Sequence, residues 1–234
     1  PDRLRGLTIT HVSDIHVGRI FRLEHLPYLI DQVNALRSDL VAVTGDIIDH
    51  SNEFLEPAID ALAQMEGRYG RFVCMGNHDL IDDAQAFLMY TRQHEPNFLE
   101  DEHRTVEIGG ERVQIAGLAW SRYDRPTGRD PGHTTRADRA LAGTDSGALR
   151  LALVHHPHAF DALAERGADL TLAGHTHGGQ LMLTRHFGAG NMLFRYVWGL
   201  YQRGDAAMYV SSGCGNWFPI RVNAPAELVQ IQLV

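Results

Sequence analysis

The chain has 234 residues, 44% of them hydrophobic and 21% charged, which is ample for a sizeable core in one domain. Its formal net charge is −8 and its Lys/Arg content is arginine throughout, so no polybasic tract is available to grip a phosphate backbone, and duplex nucleic acid is excluded as a charge-driven partner. Two cysteines, Cys74 and Cys214, are too few for a disulfide framework, and no stretch approaches the roughly 18 to 20 uninterrupted apolar residues of a membrane span.

In chain order, "LRGLTITHVS" reads as a strand, "LEHLPYLIDQVNALR" has helical spacing, "DLVAVTG" is a strand, "EFLEPAIDALAQM" a helix and "RFVCMG" a strand, which predicts βαβαβ. "RTVEI" and "ERVQIAGLAW" flank Gly109 and Gly110, a hairpin signal. The stretch 121–147, rich in Pro, Gly, Thr, Asp and Arg, is expected to be a surface loop with at most one short helix. "LRLALVHH" and "ADLTLAGH" enclose the helical "PHAFDALAERG". The apolar "LMLTRHFGAGNMLFRYVWGLY" stands in a loop position, and two closing strands around a Gly-rich turn are expected in "AAMYVSSGCGNWFPIRVNAPAELVQIQLV". Without repeats or low-complexity tracts, the expectation is a single domain over residues 1–234. The chain starts at Pro1 with no signal-like segment and reads as soluble; its compartment is open, cytoplasmic or membrane-associated if an anchor preceded it.

The strand ends share one habit, an apolar run followed by Gly and then Asp, Asn or His. The set is Asp14-Ile15-His16, "GDIIDH" from Gly45, "GNHD" from Gly76, "VHHP" from Val154 and "GHTHGG" from Gly174. Ligands in open α/β folds bind outside the carboxyl ends of strands, so these stretches can converge on one site. Period-two alternation would aim Asp14 and His16 the same way, and the glycines would let the backbone turn sharply beside them. Carboxylate, imidazole and amide oxygen together suit borderline divalent ions such as Mn, Fe or Zn, whereas the cysteine count excludes an all-thiolate zinc site.

Taken in order, Asp-x-His, Gly-Asp-x-x-Asp, Gly-Asn-His-Asp, His and Gly-His-x-His resemble the motifs of the calcineurin-like metallophosphoesterases. Each piece alone is weak; the ordered set from Asp14 to His177 carries the resemblance. It implies an α/β fold, a four-layer α-β-β-α sandwich of two mixed sheets, with a dinuclear site of two divalent metal ions at the strand carboxyl ends. Carried over position by position, Asp14, His16 and His177 would hold one metal, Asp46 would bridge both, and Asn77, His155 and His175 would hold the second. His78 would be the catalytic histidine and Asp79 would orient it. Two ions about 3.5 to 4 Å apart hold a hydroxide between them and neutralise phosphoryl oxygens under in-line attack, so no protein nucleophile is required. The implied activity is hydrolysis of a phosphodiester, pyrophosphate or monoester. Two aspartates against two dications leave a cationic site inside an acidic protein.

Plainer roles compete for the same residues. An aspartate after a strand is commonly a cap or turn residue, and only the ordered set lifts Asp14 and Asp46 above that. His155 and His156 compete for one ligand position, and the family's His-x-Pro pattern favours His155. Asp49 reads as orienting a neighbour rather than binding metal, and His50 as touching substrate or facing solvent. His25, His94, His103, His133, His158 and His186 read as surface residues. Cys74 reads as a small buried hydrophobe, Cys214 sits in a Gly-rich turn without the trailing arginine of a Cys-anchored phosphate loop, and Ser13 and Ser212 lack support as nucleophiles. No Walker or dinucleotide motif is present.

The alternative class is a catalytically inactive scaffold of the same fold, against which the full ligand set speaks. The carboxyl-terminal stretch resembles a bacterial branch of the family that includes membrane-tethered phosphoesterases and enzymes that cleave UDP-diacylglucosamine. That resemblance implies a phosphate-ester small molecule or a lipid-linked substrate, and peripheral membrane association, for a monomeric protein. In this reading Leu193, Phe194, Tyr196, Val197 and Trp198 form either an apolar lip beside the metals or ordinary core, with Arg185 or Arg195 meeting a phosphate.

Overall fold

A run such as Leu40–Thr44, buried at every position, forms a strand only where both of its faces are covered. The computed structural model, which describes residues 2–120, 131–184 and 187–234, covers them with helices on one side and a second sheet on the other. The predicted βαβαβ is present as β1 (Thr8–Val12), α1 (Leu26–Ala35), β2 (Leu40–Thr44), α2 (Leu55–Leu62) and β3 (Arg71–Cys74). α3 (Ala84–His94), β4 (Glu102–Ile108), β5 (Glu111–Gly117), α4 (Pro131–Ala140), β6 (Leu149–Leu153), α5 (Phe160–Glu165) and β7 (Leu170–Ala173) follow. The chain then forms β8 (Met182–Thr184), β9 (Phe187–Gly188), α6 (Gly190–Leu193), β10 (Gly199–Arg203), β11 (Ala206–Val210) and β12 (Val229–Gln232).

The first sheet has the order β12-β1-β2-β3 and the second β10-β11-β7-β6-β5-β4. Both are mixed: β12 runs antiparallel to β1, while β4 and β10 run antiparallel to β5 and β11 at the two edges of the second sheet. Ile9, Leu40, Phe72 and Cys74 of the first sheet meet Val113, Ile115, Leu151 and Leu172 of the second in a common core. On the outer face of the first sheet, Val41, Val43 and Val73 pack on Val33, Ile59, Leu62 and Phe87 of α1 to α3. On the outer face of the second, Ala116, Ala152 and Val210 pack on Ala137, Phe160 and Leu163 of α4 and α5. This is the four-layer sandwich expected of the resemblance.

Four local readings are refined. Gly109 and Gly110 both take left-handed φ, 61° and 83°, as a two-residue hairpin connection of type I′ requires. The loop 121–147 contains α4, whose Ala137 and Ala140 are buried; its residues 121–130 lie outside those described. α3, polar enough to escape the periodicity reading, is started by Asp83, whose carboxylate accepts the backbone N–H of Gln85 and Ala86 at 3.0 Å each. The closing strands β11 and β12 do not pair around a turn. Both edges of β11 are taken by β7 and β10, so the chain from 211 to 228 crosses to the free edge of β1. Among the described residues, no helix is long and apolar enough to cross a membrane.

Candidate metal centre

The residues singled out at the strand ends gather at one edge of the sandwich. Asp14 and His16 follow β1, Asp46 follows β2, Asn77 and His78 follow β3, His155 follows β6, and His175 and His177 follow β7. Strand alternation does not aim the first pair, because β1 ends at Val12. Instead Asp14, His16, Asp46, His175 and His177 all adopt left-handed backbone, with φ between 49° and 74°. Such a conformation costs a non-glycine residue about 1–3 kcal/mol. Neighbouring backbone holds it: Asp14 N–H donates to Gly45 O at 3.0 Å, and His16 N–H to Asp46 O at 2.9 Å. Of the motif glycines, Gly45 does turn the chain, at φ 84°. Gly76 and Gly174 serve close approach instead, since a Cβ would fall on the Asp46 carboxylate in one case and on Ser13 Oγ and the Asp14 carboxylate in the other.

Three clusters result among the described residues, one of which joins His16 to Asp49 and His78 and two of which consist of predicted ligands. Asp14, His16 and His177 form one, with His177 Nε2 3.3 Å and His16 Nε2 3.9 Å from Asp14 Oδ1. Asp46, His155 and His175 form the other, with His155 Nε2 3.1 Å from Asp46 Oδ2. The same Asp46 oxygen lies 3.4 Å from His16 Nε2, so this carboxylate faces both clusters. Asn77 Oδ1 is buried without a hydrogen-bond partner among the described residues, as a ligand atom reserved for a cation would be. Asp14 and Asp46 are almost wholly buried. Burial works against their ionisation, yet His177, His16 and His155 around Asp14, and His155, His16 and His78 around Asp46, hold both carboxyls well below the usual range. Conversely, burial would lower His16 and His155, but the carboxylates raise them to about 10 and about 9. Burial lowers His175 and His177 to about 3 each. The carboxylates thus favour the charged form of His16 and His155, and these imidazoles favour the ionised carboxylates, at positions where divalent cations fit the donor set.

A buried relay fixes the first carboxylate. Thr44 Oγ1–H donates to Ser13 Oγ at 2.8 Å, and Ser13 Oγ–H donates to Asp14 Oδ2 at 2.5 Å. With its own proton so used, Thr44 Oγ1 accepts from His11 Nε2–H at 2.8 Å. The backbone N–H of His175 reaches both Asp14 oxygens at 3.1 Å, and that of His78 donates to Asp46 Oδ1 at 2.8 Å. His155 Nδ1–H donates to Thr44 O at 2.7 Å, which leaves Nε2 for a cation. Arg221 faces His177 Nδ1 at 3.1 Å and also binds the carbonyls of Ser212, Gly215 and Ala224. Sequence reasoning missed His11, Thr44 and Arg221 and left Ser13 without a role; polar residues inside otherwise apolar strands were the available signal for the first two.

A family model for calcineurin-like phosphoesterases matches residues 7–179. The chain belongs to the calcineurin-like phosphoesterase family. This phosphoesterase-family chain is 29% identical over 237 residues to an uncharacterized metallophosphoesterase of Helicobacter pylori strain J99, covering 98% of the chain and 60% of that relative. It is 31% identical over 241 residues to a "transmembrane protein with metallophosphoesterase domain" of Danio rerio, covering 100% of the chain and 54% of the relative. The chain thus spans 54–60% of the length of these relatives. Among solved structures, a dimetal phosphatase from Danio rerio superposes with a TM-score of 0.59 at 14% identity, over 98% of this chain and 93% of that one. TT1561 of Thermus thermophilus also gives 0.59, at 12% identity over 91% and 90%.

Several readings of the calcineurin-like motifs need correction. Asp79 does not orient His78. Its buried carboxylate instead accepts the backbone N–H of Ile47 at 2.7 Å, Ile48 at 3.1 Å and Gly76 at 2.8 Å, tying the loops after β2 and β3 together. The His78 ring is held by Asp49, with Nδ1–H donating to Asp49 O at 2.8 Å and the Asp49 carboxylate lying 3.2 Å from the same nitrogen. Asp49 also approaches His16 at 3.5 Å and His50 at 2.7 Å. His155 faces the carboxylates, whereas the ring of His156 lies against His175 and Trp120 and accepts the His158 N–H. His133 and His158 are buried rather than superficial; His25 and His94 are exposed, and His186 lies outside the described residues. Burial raises the Cys214 thiol to about 12, and its S–H meets Glu227 O, so it is no nucleophile.

The apolar segment divides between the roles open to it. Tyr196 and Val197 are buried, and the Trp198 indole N–H donates to Glu227 at 3.0 Å within a small core with Met182 and Ala224. Leu193 and Phe194 instead line a cavity of about 340 Å3, together with Asn77, His78, His175, His177 and Trp217. Arg195 is paired with Asp161 at 2.9 Å, and Arg185 lies outside the described residues.

The raised His16 and His155 predict that cation uptake near pH 7.5 expels protons, and that affinity climbs as pH rises towards 9 to 10. Titration calorimetry with Mn in buffers of different ionisation enthalpy should show this release. A binding enthalpy independent of the buffer would contradict it.

Proposed function

We propose that this chain hydrolyses phosphodiesters or pyrophosphates that carry an apolar substituent, with Asp14, His16, His177, Asp46, Asn77, His155 and His175 holding two divalent ions. One observation carries the reading: in the cavity of about 340 Å3, the candidate ligands Asp46, Asn77, His175 and His177 face an apolar wall of Leu193, Phe194 and Trp217. Mn, Fe and Zn all suit the donor set. Two such ions supply Lewis acidity towards the phosphoryl oxygens and bring the pKa of water towards neutrality.

The residues of the chain do the rest. In hydrolysis, a water oxygen bonds to phosphorus, the P–O bond to the leaving group breaks, and the leaving oxygen takes up a proton. His78 lines the cavity with its Nδ1–H committed to Asp49, so Nε2 is the nitrogen that can carry that proton. Burial lowers its pKa, which makes the imidazolium a stronger acid. The Asp49 carboxylate, 3.2 Å from Nδ1, supports the charged ring. Leu193 and Phe194 would seat the hydrophobic group. A lipid-linked ester or diphosphate, met at a membrane surface, fits this wall.

Chelation should abolish turnover of a chromogenic diester and Mn should restore it. His78→Gln should lower kcat by about 100-fold or more with both ions retained, whereas Asp46→Asn should lose metal as well; activity indifferent to chelation, or a His78→Gln protein emptied of metal, would refute the assignment. For the wall, Leu193→Ala with Phe194→Ala should lower kcat/KM for a long-chain alkyl ester about tenfold more than for its short-chain analogue, since each buried CH2 is worth about 0.8 kcal/mol. Equal losses on both, or none, would make the wall purely structural.

A further inference from the structure

A second cavity, of about 700 Å3, shares Trp217 with the first and carries more polar groups on its walls. Trp217 lines both cavities, and Asp49, which holds the His78 ring, lines the second. Its remaining walls mix Arg19, His50, Ser51 and Glu53 with the apolar Ile20 and Phe54. The turn that carries Arg19 comes directly after His16 and is pinned to the site. Gly18 N–H donates to Phe21 O at 2.8 Å, and Asp49 N–H donates to Val17 O at 3.1 Å. A Cβ on Gly18 would stand 2.9 Å from Asp49 Cβ, so glycine lets this turn lie against the loop that holds His78. Arg19 is exposed, and no carboxylate lies in ion-pair range of it among the described residues.

Building on the phosphoesterase reading, we propose that this mixed cavity, with Arg19, His50 and Ser51 on its wall, seats the second substituent of the substrate, the part that stays on the phosphoryl group when the apolar part leaves. A phosphate monoester has no such substituent, so the substrate class is an asymmetric diester or diphosphate with one apolar arm and one polar, hydroxyl-bearing arm. Arg19 is its specificity residue: it donates to the oxygens of the polar arm, and a guanidinium does so with several N–H groups at once. His50 and Ser51 add hydrogen-bonding groups on the same wall, and Trp217 separates the arms at the point where His78 and His177 lie 6.0 and 6.5 Å from its ring.

The test compares two diesters with the same leaving group, ethyl p-nitrophenyl phosphate and thymidine 5′-phosphate p-nitrophenyl ester, on the Mn-loaded full chain. The wild type should prefer the thymidine ester, chiefly through a lower KM. Arg19→Ala should cut that preference about tenfold with metal content unchanged, the scale of one charge-assisted hydrogen bond, and Arg19→Lys should restore part of it. A wild type that does not distinguish the esters, or an Arg19→Ala protein that loses the same factor on both, would overturn the subsite while leaving the phosphoesterase reading intact. A wild type that hydrolyses neither ester with Mn bound would overturn that reading, and the subsite with it.

Discussion

Two buried carboxylates set the terms for the rest of the site. Asp14 and Asp46 lie almost without solvent where two sheets meet, and an ionised carboxylate in such a place costs several kcal/mol unless it is met by charge and hydrogen bonds. The fold supplies these from both sheets. Backbone amides of His78 and His175, the Ser13 hydroxyl and the imidazoles of His16, His155 and His177 all point at the pair. To bring so many groups within reach, the chain places five of the candidate ligands in left-handed backbone and removes the Cβ at Gly76 and Gly174. Such outliers persist only where the surroundings over-determine them, and here the surroundings are the two parallel strand sets on either side.

The same edge is closed by the chain's last crossing. Because β11 is already paired on both sides, residues 211–228 travel from the second sheet to the first and pass beside the candidate metal ligands Asp14 and His177. Arg221 clasps that crossing to His177 through one ring nitrogen and three backbone carbonyls. The crossing also delivers Trp217, which lines both the apolar cavity and the mixed one. Topology thus sets two cavities of differing polarity around Trp217, and the substrate proposals above rest on that difference.

Much of this was legible in the sequence. The βαβαβ pattern, the Gly109-Gly110 hairpin and the strands around "PHAFDALAERG" follow from period and turn chemistry, which are local. The candidate ligands were legible because each sits just beyond an apolar run. What escaped was non-local. Asp79 stands beside His78 in the chain, yet its carboxylate serves the amides of Ile47 and Ile48, and the ring is held by Asp49 from another loop. The relay from His11 through Thr44 and Ser13 joins two strands, and Arg221 reaches His177 across 44 residues. Arg195 looked available for phosphate only because its partner Asp161 lies on a distant helix. No periodicity records such pairings.

Anomalous diffraction from crystals of the Mn-loaded protein, collected at the Mn absorption edge, tests the central claim most directly. Two peaks about 3.5 to 4 Å apart are expected, one against Asp14, His16 and His177, the other against Asn77, His155 and His175, with Asp46 touching both. A single peak, or peaks that leave Asp46 or Asn77 unligated, would contradict the two-ion centre.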